Sequence, residues 1–120
     1  MDKINPRARK KDVVVQKSGD ETLIYNLKNN KAFCLNQSSA TVWSLCNGNR
    51  SVGEISDLLS REYKVLVNED FVWLALDQLA KDGLLENGIE FFNRFSALSR
   101  RELIKKIGFA SALTLPIVSS

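Results

Sequence analysis

The first third of the chain alternates apolar and polar residues, a pattern typical of β-strands that cover one face of a core. A β-branched stretch over residues 13–17 comes first, and the alternation then runs through residues 22–27 and Lys31–Leu35. Turn-forming residues separate them, and Asn29-Asn30 suits a tight hairpin because asparagine tolerates a positive φ. The pattern therefore predicts a three-stranded antiparallel β-meander at the start of the domain.

From residue 36 onward the apolar residues recur at helical spacing. Asn36 or Ser38 can cap a first helix, and Gly48 lies where glycine commonly follows a helix end. Ser51 and Glu54 stand three residues apart in the form of a capping box, which predicts the start of a second helix. Two short helices are therefore expected between residues 36 and 63.

A third helix and a hairpin complete the pattern. Asn68 can cap a helix with an i, i+3, i+4, i+7 apolar stripe, and Gly83 ends it. Asn87-Gly88, between two short apolar runs, predicts a β-hairpin. The order predicts an α+β fold, a winged helix-turn-helix with an N-terminal three-stranded antiparallel β-meander, three helices and a small β-hairpin wing. A C-terminal helical and apolar tail follows it.

Charge divides the chain into three parts. Residues 1–12 hold five basic and two acidic residues, residues 94–120 hold five and one, and residues 13–93 hold seven and eleven. We expect a flexible basic arm, a folded domain over residues 13–93, and a basic and apolar tail over residues 94–120. No secretory signal opens the chain, and no apolar stretch reaches the roughly 18 to 20 residues that span a bilayer. A cytoplasmic location is expected.

The residue types leave little for catalysis. The chain has no histidine, and its two cysteines, Cys34 and Cys46, lie twelve apart without the spacing of a metal or redox motif. Both are expected to be buried free thiols. Glu54 and Asp57 stand three apart, which is typical of a solvated helix face. The sequence therefore predicts neither a metal site, nor a cofactor, nor an enzyme.

Between residues 20 and 85, a set of residues occurs in the order and spacing of one family. They are Tyr25, Leu27, Leu35-Asn36, Ala40, Val42-Trp43, Gly48, Val52, Glu54-Ile55, Leu59, Tyr63, Leu79 and Gly83-Leu84-Leu85. On these residues the chain resembles the PqqD-like family. The resemblance implies a winged-helix domain that recognises the leader of a ribosomally made, post-translationally modified peptide. Such domains present the precursor peptide to a partner enzyme, often a radical SAM enzyme.

The resemblance also implies a place for the peptide, between the third strand and the third helix. The third strand can be a sheet edge, whose unpaired main-chain groups offer a template for an extended peptide. Carried over to this chain, the strand residues are Lys31, Ala32, Phe33, Cys34 and Leu35. The cleft wall is a second stripe on the third helix, comprising Phe71, Leu74, Gln78 and Lys81.

Each apolar residue of this set also has a purely structural interpretation. Phe33 and Leu35 alternate along their strand, so they can be core residues, and Phe71 can close the core at the helix start. Trp43 is expected in the core, because one tryptophan supplies much of the packing of a small domain. Trp73 lies off the main stripe, where it can face a partner or cover the wing.

The tail allows several interpretations. Ser99-Arg100-Arg101 and the apolar stretch after it look like a twin-arginine export signal, but such signals act at the N-terminus. The tail can instead lie on a membrane, dock on a partner enzyme, or be partly disordered. The residues for membrane or partner contact are Arg100, Arg101, Lys105, Lys106 and Phe109.

Two other functions compete with peptide capture. A winged helix can bind DNA through its third helix, but residues 69–82 carry four acidic residues against Lys81, which disfavours contact with phosphate. No specific nucleic-acid partner is therefore expected. The other alternative is a structural subunit of an enzyme complex that never binds a peptide.

Overall fold

A computed structural model describes residues 5–88 and 116–119 of the chain. Three strands, β1 (Val13–Ser18), β2 (Glu21–Asn26) and β3 (Lys31–Leu35), form an antiparallel meander. A fourth strand, β4 (Val118–Ser119), pairs with β3 in antiparallel fashion, giving the order β1-β2-β3-β4. The predicted three-stranded meander is thus part of a four-stranded sheet, because β4, which comes much later in the chain, adds to its edge.

Three helices follow β3: α1 (Gln37–Leu45), α2 (Val52–Tyr63) and α3 (Glu69–Lys81). Each begins at a polar cap. The side chain of Asn36 accepts a hydrogen bond from the Ser39 amide, and the side chain of Asn68 accepts one from the Phe71 amide. Ser51 and Glu54 form the reciprocal capping box that their spacing predicts. These caps satisfy amides that a helix start otherwise leaves without partners.

The core lies between the helices and one face of the sheet. Ile24 and Phe33 are paired across β2 and β3 and, with Leu35, point into this layer. The helices supply further fully buried residues, among them Val42, Ile55, Leu59, Val72, Leu76 and Leu79. Because side chains alternate across a strand, Leu23 and Tyr25 lie on the opposite face, where both are exposed.

Residues 5–9, called the N-terminal segment below, lie against the body of the domain. The Ala8 amide donates to the carbonyl of Cys46 at 2.8 Å, and the Arg9 amide donates to that of Leu84 at 2.9 Å. Pro6 and Ala8 are buried. Main-chain pairing and burial therefore hold residues 5–9 against the domain, and the flexible basic arm stays a prediction for the rest of residues 1–12.

The first arm of the predicted wing pairs with this segment. Leu85 forms an antiparallel bridge with Ala8, and the Glu86 amide donates to the Arg7 carbonyl at 2.7 Å. The second arm of the hairpin lies outside the described residues, as does the predicted helical and apolar tail apart from residues 116–119. The winged helix-turn-helix description therefore stays a prediction. None of the helices in the described part of the chain is long and apolar enough to cross a membrane.

Candidate functional site

The edge of β3 that faces away from β2, called its outer edge, has two unlike halves. Cys34 pairs with Ser119 and Leu35 pairs with Val118, so this end is covered by β4. Within residues 5–88 and 116–119, no strand pairs with the other three residues on the side away from β2. We call Cys34–Leu35 the covered half and Lys31–Phe33 the open half.

The direction of the β3 amides follows from one hydrogen bond. The Asn36 amide donates to the carbonyl of Ile117 at 3.1 Å, so it points outward from the sheet. Successive amides of a strand point to opposite sides, which places those of Cys34 and Ala32 on this same outer side. The amide of Phe33 then faces β2. The open half therefore offers the Ala32 amide and carbonyl to an incoming strand.

Gln78 of α3 forms the opposite wall and binds main chain with its side-chain amide. Its Nε2 donates to the carbonyl of Pro116 at 2.6 Å, and its Oε1 accepts the Val118 amide at 3.1 Å. In an extended chain these two groups project to the same side, away from β3. Gln78 alone therefore makes the two main-chain hydrogen bonds that a neighbouring strand would otherwise make on this side of the segment.

Asn36 and Ser39, at the start of α1, complete the grip on this extended segment. The Ile117 amide donates to Asn36 Oδ1 at 3.0 Å, and the Ser39 hydroxyl lies 2.8 Å from the Ile117 carbonyl. Neither residue was predicted as part of the site. Asn36 was expected only as a helix cap, which accounts for its polarity, and no pattern in the sequence singled out Ser39.

The cleft continues past β4 along the open half as a cavity of about 570 Å³. Lys31, Ala32 and Phe33 line one side, and Lys81 and Asp82 line the other. Burial raises the pKa of the Asp82 carboxyl, and the two nearby lysines act in the opposite direction. Two cations against one carboxylate give this part of the cleft a net positive charge.

The predicted site residues divide into two groups. Gln78 contacts the bound segment, while Lys31, Ala32 and Lys81 line the open half. The apolar members of the set, Phe33, Leu35, Phe71 and Leu74, are at most 4% exposed and belong to the core. They shape the cleft from beneath, and β3 presents mainly its backbone to the outside.

Three other predicted residues are placed as follows. Cys34 is half-buried, and its thiol donates to Glu21 at 3.2 Å. Trp43 is in the core, as predicted, and its indole Nε1 donates to the Leu84 carbonyl at 2.9 Å. Trp73 is half-buried. The tail residues Arg100, Arg101, Lys105, Lys106 and Phe109 lie outside the described residues.

The face of α3 turned away from its main stripe is also largely covered. Phe71, Leu74 and even Asp77 are buried. A recognition helix needs an exposed face that can enter a groove of DNA. The packing of α3 therefore agrees with its acidic composition in disfavouring that role.

Comparison with known protein families shows which family the domain belongs to. The model of the family described as Coenzyme PQQ synthesis protein D (PqqD) matches residues 21–85, which is more than half of the chain. The chain belongs to the PqqD family. The PqqD match spans β2, β3 and all three helices, and it includes Gln78 and the open half. The N-terminal segment and β4 both lie outside it.

A solved structure supports the same relationship. TbiB1, in complex with the TbiA(beta) leader peptide, is similar with a TM-score of 0.55 and 27% sequence identity. The alignment covers 68% of this chain and 95% of that chain. No curated protein matches the chain significantly. The PqqD fold of this chain is therefore shared with a protein whose structure holds a leader peptide.

Proposed function

We propose that the chain is a non-catalytic chaperone that binds the leader of a ribosomally made precursor peptide. The leader would add as a strand to the outer edge of β3, facing α3, and the chain would present the precursor to a modifying enzyme. The PqqD match and the similarity to TbiB1 in its complex with a leader peptide support this proposal.

One observation within the molecule carries the proposal. The cleft between β3 and α3 holds an extended peptide segment, the chain's own residues 116–119, as an added antiparallel strand. Its main chain bonds to Asn36 on one side and to Gln78 on the other. Main-chain bonds of this kind give affinity with little dependence on sequence, which suits a site that reads a leader.

The open half adds a preference for charge. Lys31 and Lys81 flank the cavity beyond β4, with Asp82 as the only carboxylate among its described lining residues. A leader that continues along β3 in the direction of β4 would pass between these lysines. We therefore propose that its part beyond the position of Ser119 carries acidic side chains.

The remaining elements of the proposal come from the family. A radical SAM enzyme is the class of partner that the resemblance to PqqD-like domains implies. The division into domains, the cytoplasmic location, and contact of Arg100, Arg101, Lys105, Lys106 and Phe109 with a membrane or a partner stay predictions. The described residues bring together no group of three or more metal-binding side chains.

A proline at Ala32 tests strand addition directly. Its amide points outward, so proline removes a donor for the guest and leaves the ladder with β2 intact. Losing one main-chain bond and part of the strand geometry should weaken leader binding roughly tenfold. The measurement is fluorescence anisotropy with labelled leader peptides, synthesised from any short precursor that is encoded near this chain.

Ala32→Val is the matched control. Ala32 is exposed and lies beside Tyr25 across the sheet, so valine keeps the amide and suits a strand. It should bind leaders like the wild type. If both variants bind equally well, the guest does not pair with β3. If no leader binds the wild type or the variant Val118→Asp described below, the chain is better explained as a structural subunit.

A further inference from the structure

The strand that covers half of the proposed leader site comes from this chain itself. Residues 116–119, called the C-terminal segment below, run antiparallel to β3 with Val118 opposite Leu35. They also face Gln78 of α3. An added leader strand would need the same main-chain groups, because the outward amides at this end of the edge belong to Cys34 and to Asn36, which follows β3 directly. The two strands cannot occupy it together.

The grip on the C-terminal segment is specific but shallow. Pro116 is buried and Val118 packs against the core, whereas Ile117 is 50% exposed and Ser119 is exposed. Three side chains, Asn36, Ser39 and Gln78, supply most of its polar contacts. The apolar side chains that would return to water are Pro116 and Val118, so departure of the segment costs far less than unfolding the core.

We propose that the C-terminal segment is a built-in competitor that mimics the leader and must leave before a leader can occupy the covered half of β3. This proposal rests on the proposed function, because it assigns a regulation to the same cleft. Occupancy by the segment lowers the apparent affinity for a leader by the fraction of molecules whose cleft is free. A leader then loads the chain only at a concentration raised by this same factor.

Because the segment is tethered to the domain, the affinity that it needs to occupy the cleft can be calculated. A flexibly linked segment acts at an effective concentration on the order of 1 mM. The free segment must therefore bind an empty cleft with a Kd below about 1 mM if the tethered one is to occupy it. This gives a threshold that can be measured with no leader at all.

Two full-length variants separate an occupied cleft from an empty one. Val118→Asp places a carboxylate against the core and should release the segment, because an unpaired charge is costly to bury. Ile117→Asp is the matched control, since the neighbouring side chain points to solvent while its main-chain groups are unchanged. Circular dichroism checks that both variants keep the fold.

The probe is a fluorescein-labelled octapeptide with the sequence of residues 113–120. We expect it to bind the Val118→Asp chain roughly threefold to fivefold more tightly than either the wild type or the Ile117→Asp chain. The same octapeptide with Asp at the position of Val118 should not bind. Equal affinity for wild type and Val118→Asp would overturn the proposal, and so would a Kd above about 1 mM for Val118→Asp.

A second titration uses the labelled leader that binds best in the experiment above. The Val118→Asp chain should bind this leader more tightly than wild type by the same factor as it binds the octapeptide, and Ile117→Asp should match wild type. Equal leader binding by all three chains overturns the competitor while leaving the proposed function standing. Octapeptide binding without any leader binding would instead overturn the proposed function, and with it competition for a leader.

Discussion

Two extended segments from opposite ends of the chain add to the PqqD body, and they are held in different ways. The N-terminal segment lies between two main-chain partners: Gly48 donates to Pro6 on one side, and Glu86 donates to Arg7 on the other. Among the described residues, the C-terminal segment has main-chain strand pairing on one side only, with β3. On its other side a side chain, Gln78, takes the place of a strand.

Burial follows the same division. In the N-terminal segment Ala8 joins the main core, and Lys10 just beyond it lies with its Nζ 4.0 Å from the Trp43 ring centroid. The C-terminal segment buries Pro116 and part of Val118. The first segment is therefore expected to be part of the folding unit, and the second to exchange without unfolding it. A strand held by side chains on one side is suited to be replaced by another strand.

The largest predicted effect comes from placing a charge in the N-terminal segment. Ala8 is 2% exposed, so Ala8→Asp places a carboxylate in the core, away from water. We expect a loss of about 3 kcal/mol or more of unfolding free energy. Urea denaturation followed by circular dichroism measures it.

Lys11→Asp controls for the added carboxylate, because Lys11 is exposed three residues further along. It should change the unfolding free energy by less than about 0.5 kcal/mol. If Ala8→Asp were equally mild, the N-terminal segment would be an appendage, and the contrast between the two segments would disappear.

Local signals explain why the body could be predicted from the sequence. The bounds of β3 match the predicted strand, and the caps of α1, α2 and α3 lie at Asn36, Ser51 and Asn68 as their residue types indicate. A cap or a tight turn depends on residues only a few positions apart. The sequence therefore contains the whole of such an interaction within one short window.

The two added segments could not be found in this way. Arg7 bonds to residues near 47 and 86, and Val118 pairs with Leu35, so each contact joins positions 40 to 83 residues apart. Main-chain pairing leaves almost no trace in side chains. Helical spacing did identify Gln78, but it also selected Phe71 and Leu74, which are core residues because α3 is buried on more than one face.

The second prediction uses pH to probe the support of the N-terminal segment. The carbonyl of Cys46 accepts a hydrogen bond from the Ala8 amide. Burial raises the pKa of the Cys46 thiol to about 12, although the charges of Lys10 and Arg50 act in the opposite direction. The unfolded chain has the ordinary value of 9.0 and loses the proton first. Stability from this group is thus complete below pH 9 and declines as pH rises towards 12.

By pH 11 the expected loss is on the order of 2 kcal/mol of unfolding free energy. Urea denaturation at several pH values measures it, and comparison with Cys46→Ala isolates it, since that variant lacks only this thiol. The difference in stability between wild type and Cys46→Ala should shrink above pH 9. A constant difference up to pH 11 would mean that water reaches this thiol in the folded chain.

The third prediction concerns the link between Trp43 and the first arm of the wing. Trp43→Phe removes the indole donor to the Leu84 carbonyl, while Leu84 itself stays buried. A buried acceptor without its donor should cost about 1 to 2 kcal/mol of unfolding free energy. Thermal unfolding followed by circular dichroism measures the change.

Pairing this variant with Lys10→Met separates the indole bond from the contact between the Lys10 ammonium and the Trp43 ring. The double-mutant cycle should give a coupling of about 0.5 kcal/mol, as expected for an exposed cation over an aromatic face. A coupling close to the whole effect of Trp43→Phe would show that the cation, rather than the hydrogen bond, holds the N-terminal segment there.

The smallest predicted effect is on the C-terminal segment, where the same kind of substitution as at Ala8 should be nearly silent in stability. Val118→Asp can avoid burying its charge by releasing four residues, because Gln78 and the outward Asn36 amide then bond to water. We therefore expect the unfolding free energy to fall by less than about 1 kcal/mol, the net contribution of a strand held by a few exchangeable hydrogen bonds. Urea denaturation of Ala8→Asp and Val118→Asp side by side measures the contrast, and a loss of about 3 kcal/mol in both would make the C-terminal segment a fixed part of the fold.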